Sequence, residues 1–469
     1  MERQVMVMDK NTEIELKLLV SKSDLKKLLA LDFVSAAIRP DSCRKRRVIS
    51  SYYDTADWAF KNNGVAYRVR SNGDGTYEAT VKTTLQNSAG LSERRELTVP
   101  LTSAKPKLDG FAELGLAEDL RELAPDGVGK KFTVNVQRTT YLIDWEGAVI
   151  ELAVDRGKIT AGAASDKIDE IELELKEGEA GTLLAFAAKL AAAAPLFAEP
   201  RSKFARGLAL CGVEADKPAA KNKLGDGPAL PELLKAAQRC GDALLLWQNK
   251  IKDGAENIEG AALKETRRQL AALRSLLAVG AELAGEDCRD AARLREAFAV
   301  VERLGALRAL LRLWLALYER NKEILGRGYL TKKLNALVAE ENEKLVSLAL
   351  RGELTAAVYE AAARLYAVKP TCGEQTALAA ARACVKNWQK LADEKAEIVE
   401  NICALARLAD GKFFAKALAA AKKQRRQLQK HNVAALWRQA LDVCCETSTS
   451  KLVYRDAGIV LGYILAKEK

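Results

Sequence analysis

Histidine is nearly absent from this sequence: His431 is the only one among 469 residues. A catalytic triad would have to be built around it alone, deep in a helical segment, so Ser–His and Cys–His hydrolysis are set aside. Cysteine is present but scattered, at positions 43, 211, 240, 288, 372, 384, 403, 444 and 445, with no C-x-x-C pair. Neither a zinc site nor a disulfide framework has the spacing it needs. Reduced thiols in a cytoplasm are the expectation. No stretch approaches ~20 uninterrupted apolar residues, so no transmembrane helix and no membrane partner are expected. Met1-Glu2-Arg3-Gln4 lacks the charged-then-apolar layout of a signal peptide.

What is present is ordinary globular material. Apolar residues make up 49% and charged residues 29% of the chain, enough for packed cores and unlike a disordered composition. At about 150 residues per domain, the length suggests two or three domains. The formal net charge of +11 points to an anionic partner. Nucleic acid, phosphate oligomers and membrane surfaces all qualify on charge alone.

The hydrophobic period divides the chain. Up to about residue 213 it is mostly two, as in 13–20, 66–70, 77–82, 94–99, 148–155 and 168–176, which predicts strands. Turn signals such as Asn72-Gly73-Asp74-Gly75 lie between them. Three helices are expected: one capped at Ser23-Asp24 and running to Leu31, one over 109–123 and one over 179–194. Residues 214–231, with Pro218, Gly225, Gly227, Pro228 and Pro231, read as a linker. Residues 232–469 are rich in Ala, Leu, Arg, Lys and Glu at helical spacing, with breaks near Gly254, 285–287, 326–328, 351–352, 369–373, 410–411 and 447–450. Short breaks between long helices predict a bundle. The domains expected are therefore 1–213, a linker over 214–231, and 232–469.

Residues i, i+2 and i+4 of a strand share a face. Glu13, Glu15 and Lys17 point one way, and Ile14, Leu16 and Leu18 the other. The same holds for Arg68 with Arg70, Thr80 with Lys82, Arg94 with Glu96, Glu151 with Asp155, and Glu170, Glu172, Glu174 with Lys176. Any one such face is ordinarily the solvated side of an antiparallel sheet. The set argues otherwise, because acidic strands open and close the segment and basic strands lie between them. Carboxylates on two strands suit a hard divalent cation. Arginine and lysine clusters suit phosphate oxygens.

The ordered series over the first 210 residues or so resembles the CYTH domain, or triphosphate tunnel metalloenzyme family. It comprises the E-x-E-x-K of Glu13, Glu15 and Lys17, then Tyr52-Tyr53-Asp54-Thr55, Arg68-Val69-Arg70, Lys82 and Glu93-Arg94-Arg95-Glu96. Arg138 with Tyr141, Glu151 to Asp155, Glu170 to Lys176 and Arg201-Ser202-Lys203 complete it. The resemblance implies an α+β N-terminal domain built on an antiparallel β-barrel of about eight strands around a tunnel, followed by an all-α helical bundle. It implies hydrolysis of inorganic triphosphate to diphosphate and phosphate with Mg2+ or Mn2+. Lys17, Arg68, Arg70, Lys82, Arg94, Arg138 and Lys203 would grip the triphosphate. Glu172 and Glu174 would ligate the metal, Glu13 and Glu15 would hold a second metal or orient the attacking water, and Glu151 and Asp155 would support the acidic end. Glu13, Glu15 and Lys17 are the catalytic candidates. Arg94 rather than Arg95 is taken as the inward residue. Thr140 stands where the family often has a second basic residue. The alternatives are an organic triphosphatase or class IV-type adenylate cyclase, and a non-catalytic polyphosphate-binding protein.

The helical half is similar to CHAD domains, which are implicated in binding polyphosphate, but only in part. Arg267-Arg268, Arg274, Arg382 and Lys386 match its basic helices, while Lys264 replaces a histidine and Ala271 and Ala272 stand where arginines are usual. Long-chain polyphosphate is the expected partner there, and no specific nucleic acid. Lys332-Lys333 and Lys422-Lys423-Gln424-Arg425-Arg426 are the densest basic runs. Trp247, Trp314, Trp388 and Trp437 are expected in the core.

Overall fold

A computed structural model describes residues 12–88, 91–213, 223–254, 260–286, 291–320, 328–371, 373, 375–392 and 395–468. The chain forms two compact units, Met1–Ala220 and Lys221–Lys469. The first is a nine-stranded antiparallel sheet among the described residues, with helices packed on both of its faces.

The strands are β1 (Thr12–Leu19), β2 (Arg44–Asp54), β3 (Val65–Ser71), β4 (Tyr77–Ser88), β5 (Leu91–Leu101), β6 (Gly129–Trp145), β7 (Ala148–Ala161), β8 (Ala164–Glu177) and the short β9 (Phe197–Ala198). Their order is β5-β4-β3-β2-β6-β7-β8-β1-β9, and β5 pairs with β1 as well as with β4. The helices are α1 (Lys22–Leu29), α2 (Asp32–Ser35), α3 (Ala59–Asn62), α4 (Ala117–Leu123), α5 (Ala180–Ala193) and α6 (Lys203–Leu210).

The expected strands are present and mostly longer. β2 and β6 were not anticipated. The opening of β2, Arg44-Lys45-Arg46-Arg47, has no apolar alternation to betray it. In β6 the buried apolar residues change face, from Phe132, Val134 and Val136 to Ile143, because different layers cover its two ends. The helix over 109–123 is broken: a 3-10 helix spans Leu108–Leu114, Gly115 turns left-handed at φ 71°, and α4 follows. Ser21, rather than Ser23 or Asp24, caps α1 by accepting the Asp24 amide at 3.1 Å, and the helix stops at Leu29. The β6–β7 hairpin turns on Glu146 and Gly147, with φ of 44° and 80°, the positive pair that such two-residue loops need.

Both faces of the sheet are covered. Outside β3, β4 and β5, an apolar layer of Tyr67, Val69, Ala79, Val81 and Val99 packs on Phe60, Phe111 and Leu120. On the opposite face, Val48, Tyr52, Phe132, Val134, Ile159 and Ile168 pack with Leu208 and Phe204 of α6. Gly207 allows that approach: a Cβ there would sit 2.2 Å from the Phe132 ring. One end of this face is thus filled by apolar side chains, and the charged residues occupy the rest.

The second unit is helical: α7 (Ala229–Lys252), α8 (Gly260–Ala284), α9 (Ala292–Arg320), α10 (Tyr329–Leu350), α11 (Glu353–Tyr366), α12 (Ala377–Leu391), α13 (Ala396–Leu408), α14 (Lys412–Glu446) and α15 (Lys451–Glu468). α7 begins at Ala229, inside the stretch read as a linker, and Pro231 sits in its first turn, where no amide donor is needed. The break between α12 and α13 was not foreseen. Trp247, Trp314 and Trp388 are buried, as expected of core residues. No helix among the described residues is long and apolar enough to cross a membrane. His431 lies within α14, its side chain outside the described residues.

Candidate active site

β1 shows why its charged face is no ordinary surface. Leu16 and Leu18 are fully buried on one side, yet Glu15 and Lys17 on the other are only 8% and 4% exposed. Arg68, Asp155, Glu170 and Glu172 are buried as well. Charge is kept out of water here by placing opposite signs together.

The register sets who meets whom. Glu15 stands opposite Glu174, and Glu174 opposite Glu151, so three carboxylates form one row across β1, β8 and β7. The adjacent row holds Lys17, Glu172, Ala153, Thr140 and Arg44, and the next Glu170, Asp155, Arg138 and Arg46. On the other side, Ser50, Arg70 and Glu78 form a row, as do Tyr52, Arg68, Thr80 and Thr98. Lys82 stands opposite Glu96.

Within these rows the ion pairs are dense. Lys203 Nζ lies 2.7 Å from Asp155, 2.5 Å from Glu170 and 2.8 Å from Glu172. Arg138 grips both Asp155 oxygens, at 2.7 and 2.6 Å, and reaches Glu172 at 2.5 Å. Lys17 pairs with Glu15 and stands 3.9 Å from Glu172. Lys82 pairs with Glu96 and lies 3.6 Å from Glu13. Arg68 is 3.6 Å from Glu96, and its Nε is buried without a hydrogen-bond partner.

The field has two ends. Burial would push the Glu172 carboxyl up, but Lys203, Arg138 and Lys17 outweigh it and hold it well below the usual range. Asp155 is lowered by Lys203 and Arg138 against the same burial, and Glu13 by Lys82 and Arg68. Glu174 goes the other way: burial and the neighbouring Glu13 and Glu151 raise it, against Lys176 at 2.6 Å. Arg70 shows the opposite excess. Burial, with Arg68 and Arg138 nearby, pushes its guanidinium down to about 9, although Glu78 lies 3.4 Å away.

The acidic end has the donor type a hard divalent cation takes. Like charges directly opposite on neighbouring strands repel, and the Glu15–Glu174–Glu151 row offers only carboxylate oxygens, the ligands of hard divalent cations. Asp155, Glu170 and Glu172 also bring three oxygens within 4.8 Å of one another. That group already encloses the Lys203 ammonium, so a cation there would compete with it.

Of the residues expected from sequence, Glu13, Glu15, Lys17, Arg68, Arg70, Lys82, Arg138, Asp155, Glu172, Glu174 and Lys203 occupy this one face. Arg94 pairs with Glu13 and Thr84 in the backbone register, and its side chain lies outside the described residues. Glu96, Glu170 and Arg206 were assigned no role. Arg206 holds Glu170 at 2.9 Å and Asp166 at 2.8 Å. Its position one helical turn after Lys203 is the signal that could have found it. The Tyr52-Tyr53-Asp54-Thr55 motif is structural at Asp54, whose carboxylate accepts the Phe60 and Lys61 amides at 2.9 and 3.0 Å and starts α3.

Residues 11–208 match the CYTH domain. An inorganic triphosphatase of Haemophilus influenzae is 30% identical over 161 residues, 34% of this chain and 45% of that protein, so the match spans less than half of the relative. Among solved structures, a Hippeastrum adenylyl cyclase candidate with a dominant triphosphatase activity is 21% identical, covering 43% of this chain and 97% of its own at a TM-score of 0.28. The CHAD domain of Ricinus communis is 18% identical, covering 54% and 91%, at a TM-score of 0.38. Scores this low assign nothing to the helical unit. The sheet with its charged face lies within residues 11–208, the stretch that matches the CYTH domain.

Proposed function

We propose that the first unit hydrolyses inorganic triphosphate to diphosphate and phosphate with a divalent metal. In this reading the pairing of β5 with β1 closes the sheet into a barrel, and the charged face lines its tunnel. The observation that carries it is the excess of positive charge around Arg70: burial first, and then the neighbouring Arg68 and Arg138, push its guanidinium down to about 9. A compact polyanion relieves that excess. A row of carboxylates on the same face supplies the complementary metal site.

Phosphoryl transfer needs positioning and charge neutralisation more than covalent chemistry. Arg68, Arg70 and Arg138 hold the phosphate chain, with Lys17, Lys82, Arg94 and Lys203 completing the grip. Glu174 and Glu172, with Glu15 and Glu151 beside them, would hold Mg2+ or Mn2+, and Asp155 supports the acidic end. The metal, when bound, supplies charge neutralisation at phosphate oxygens. Glu13 or Glu15 orients a water toward the terminal phosphorus and takes up its proton as the terminal P–O bridge breaks. Diphosphate leaves with the bridging oxygen.

The functional division follows the sequence reading: catalysis in 1–213, a linker over 214–231, and a CHAD-like helical domain over 232–469 that takes long-chain polyphosphate, all in the cytoplasm. One assay tests the catalytic reading. The full chain is offered triphosphate, long-chain polyphosphate, ATP and thiamine triphosphate, each with Mg2+ or Mn2+. Phosphate release from triphosphate that disappears in Glu13→Ala and Glu172→Ala is the expected result. Cyclic AMP from ATP, or faster release from thiamine triphosphate, would overturn it. Binding of long-chain polyphosphate by every variant with no release would make the protein a binder instead.

A further inference from the structure

The run Arg44-Lys45-Arg46-Arg47 is unused by the reading above. All four residues are exposed. Their strand, β2, is long at this end: β3 pairs with it only from Ile49 to Tyr53, so 44–48 extend beyond the β2–β3 ladder, while β6 continues alongside from Arg44. The run therefore stands at a lip of the sheet.

Alternation splits the four cations between two faces. Arg46 is paired in register with Arg138 and Arg44 with Thr140, so these two share the face of the candidate site. Lys45 and Arg47 take the other face, where Arg47 Nε donates to Asn135 Oδ1 at 3.2 Å. Arg44 is oriented by its own turn, its Nη1 donating to the Asp41 and Cys43 carbonyls at 2.6 and 3.0 Å. Arg46 is answered weakly. Asp74 is held below its usual range chiefly by the Thr76 hydroxyl and amide, with Arg46 a minor contributor.

Arg44 and Arg46 are about 7 Å apart along the strand, at ~3.4 Å per residue. They lie in the register rows of Lys17 and of Arg138, and add exposed positive charge to those rows where β2 runs past β3. Thr140, a neutral residue, is the cross-strand partner of Arg44. Positive charge absent from β6 at that row is thus present on β2, one strand over.

We propose that Arg44 and Arg46 form an outer phosphate subsite, so that the tunnel accepts linear condensed phosphates longer than triphosphate, with the additional phosphates held at this lip. The proposal rests on the triphosphatase reading for the inner part of the site. The lip offers cations rather than the aromatic platforms that single-stranded nucleic acid uses, which favours an inorganic chain over an RNA end.

The test compares the full chain with the double variant R44A/R46A. Rates are measured with tripolyphosphate, tetrapolyphosphate and an RNA carrying a 5′-triphosphate. Binding of the same ligands is measured by titration calorimetry, and the signal of a chain carrying R68E and R70E is subtracted to remove anions bound elsewhere. The expected result is a fall of about tenfold in the tetrapolyphosphate-to-tripolyphosphate ratio, in affinity and in kcat/KM, from loss of charge-assisted contacts. The variant R44K/R46K should recover most of the ratio. An unchanged ratio, or equal loss on both ligands, overturns the subsite. Loss confined to the RNA overturns it in favour of nucleic acid. If the wild-type chain releases no phosphate from tripolyphosphate, the triphosphatase reading fails, and the calorimetric ratio alone still decides the subsite.

Discussion

In the first unit, Glu15, Lys17, Arg68, Asp155, Glu170 and Glu172 are buried together on one face of one sheet. In the helical unit the buried charges fall in separate groups, the largest around one cavity lined by Arg267, Arg274, Glu397, Glu400 and Arg425. Arg274 meets Glu397 at 2.7 Å, Glu400 is held by Arg267 at 3.0 Å and Arg425 at 3.4 Å, Glu341 meets Arg303 at 3.2 Å, and Asp456 meets Arg455 at 3.0 Å. Each of those charges has an opposite charge beside it. Such pairs tie elements together at little net gain, because desolvation offsets their attraction. The charges of the sheet do not close: Arg70 is left in positive surroundings and Glu174 in negative ones. Functional sites are where charges shifted in this way collect.

The largest expected effect is on activity. Glu172→Gln should lower phosphate release from tripolyphosphate about a thousandfold, since it removes one charge from a pre-arranged site. A loss below threefold in a Mg2+ assay would break the contrast between the two units. Glu400→Ala should cost the helical unit about 2 kcal/mol by removing the carboxylate that Arg425 faces and one of the two that hold Arg267, which keeps Glu302. It should leave phosphate release within twofold, as read by thermal unfolding beside the same assay. Coupled loss of activity would show that the two kinds of buried charge are not separable.

Arg70→Met sharpens the comparison by moving stability and binding in opposite directions. Burial and two neighbouring guanidiniums oppose its charge, so the ligand-free chain should gain about 1 kcal/mol. Tripolyphosphate should bind about tenfold more weakly. Urea unfolding and calorimetry read the two effects. A variant that loses stability would show that Arg70 is compensated after all.

The smallest effect is the acid limb of stability. Asp155 and Glu172 have folded values below their unfolded ones. Their contribution is therefore complete above the ordinary carboxylate range and is lost as pH falls through the depressed values. In metal-free buffer, Glu172→Gln should flatten that limb of the urea midpoint against pH. An unchanged slope would remove Glu172 from the acid response.

Much of the first unit was legible. Period-two alternation placed Glu13, Glu15 and Lys17 on one face and did the same for Glu170, Glu172 and Glu174, because a strand's geometry fixes which residues share a side. The polar partners were less legible. That Lys82 meets Glu96, or that Lys203 enters among Asp155, Glu170 and Glu172, depends on register and on the docking of α6, and neither is local. Arg44 and Arg46 were hidden for a related reason: four consecutive cations carry no visible alternation until a neighbouring strand fixes their faces.

The sequence by itself determined the two periods, the absence of histidine chemistry and the side of each strand that carries charge, all of which are properties of short segments. Only the tertiary structure decided that this side is buried. Helices cover the apolar face, α6 fills one end of the other, and the two outer strands β1 and β5 pair. With most of both faces covered, each charge is set against another, and where the shifts still run against the charged form, at Arg70 and Glu174, lies the candidate site.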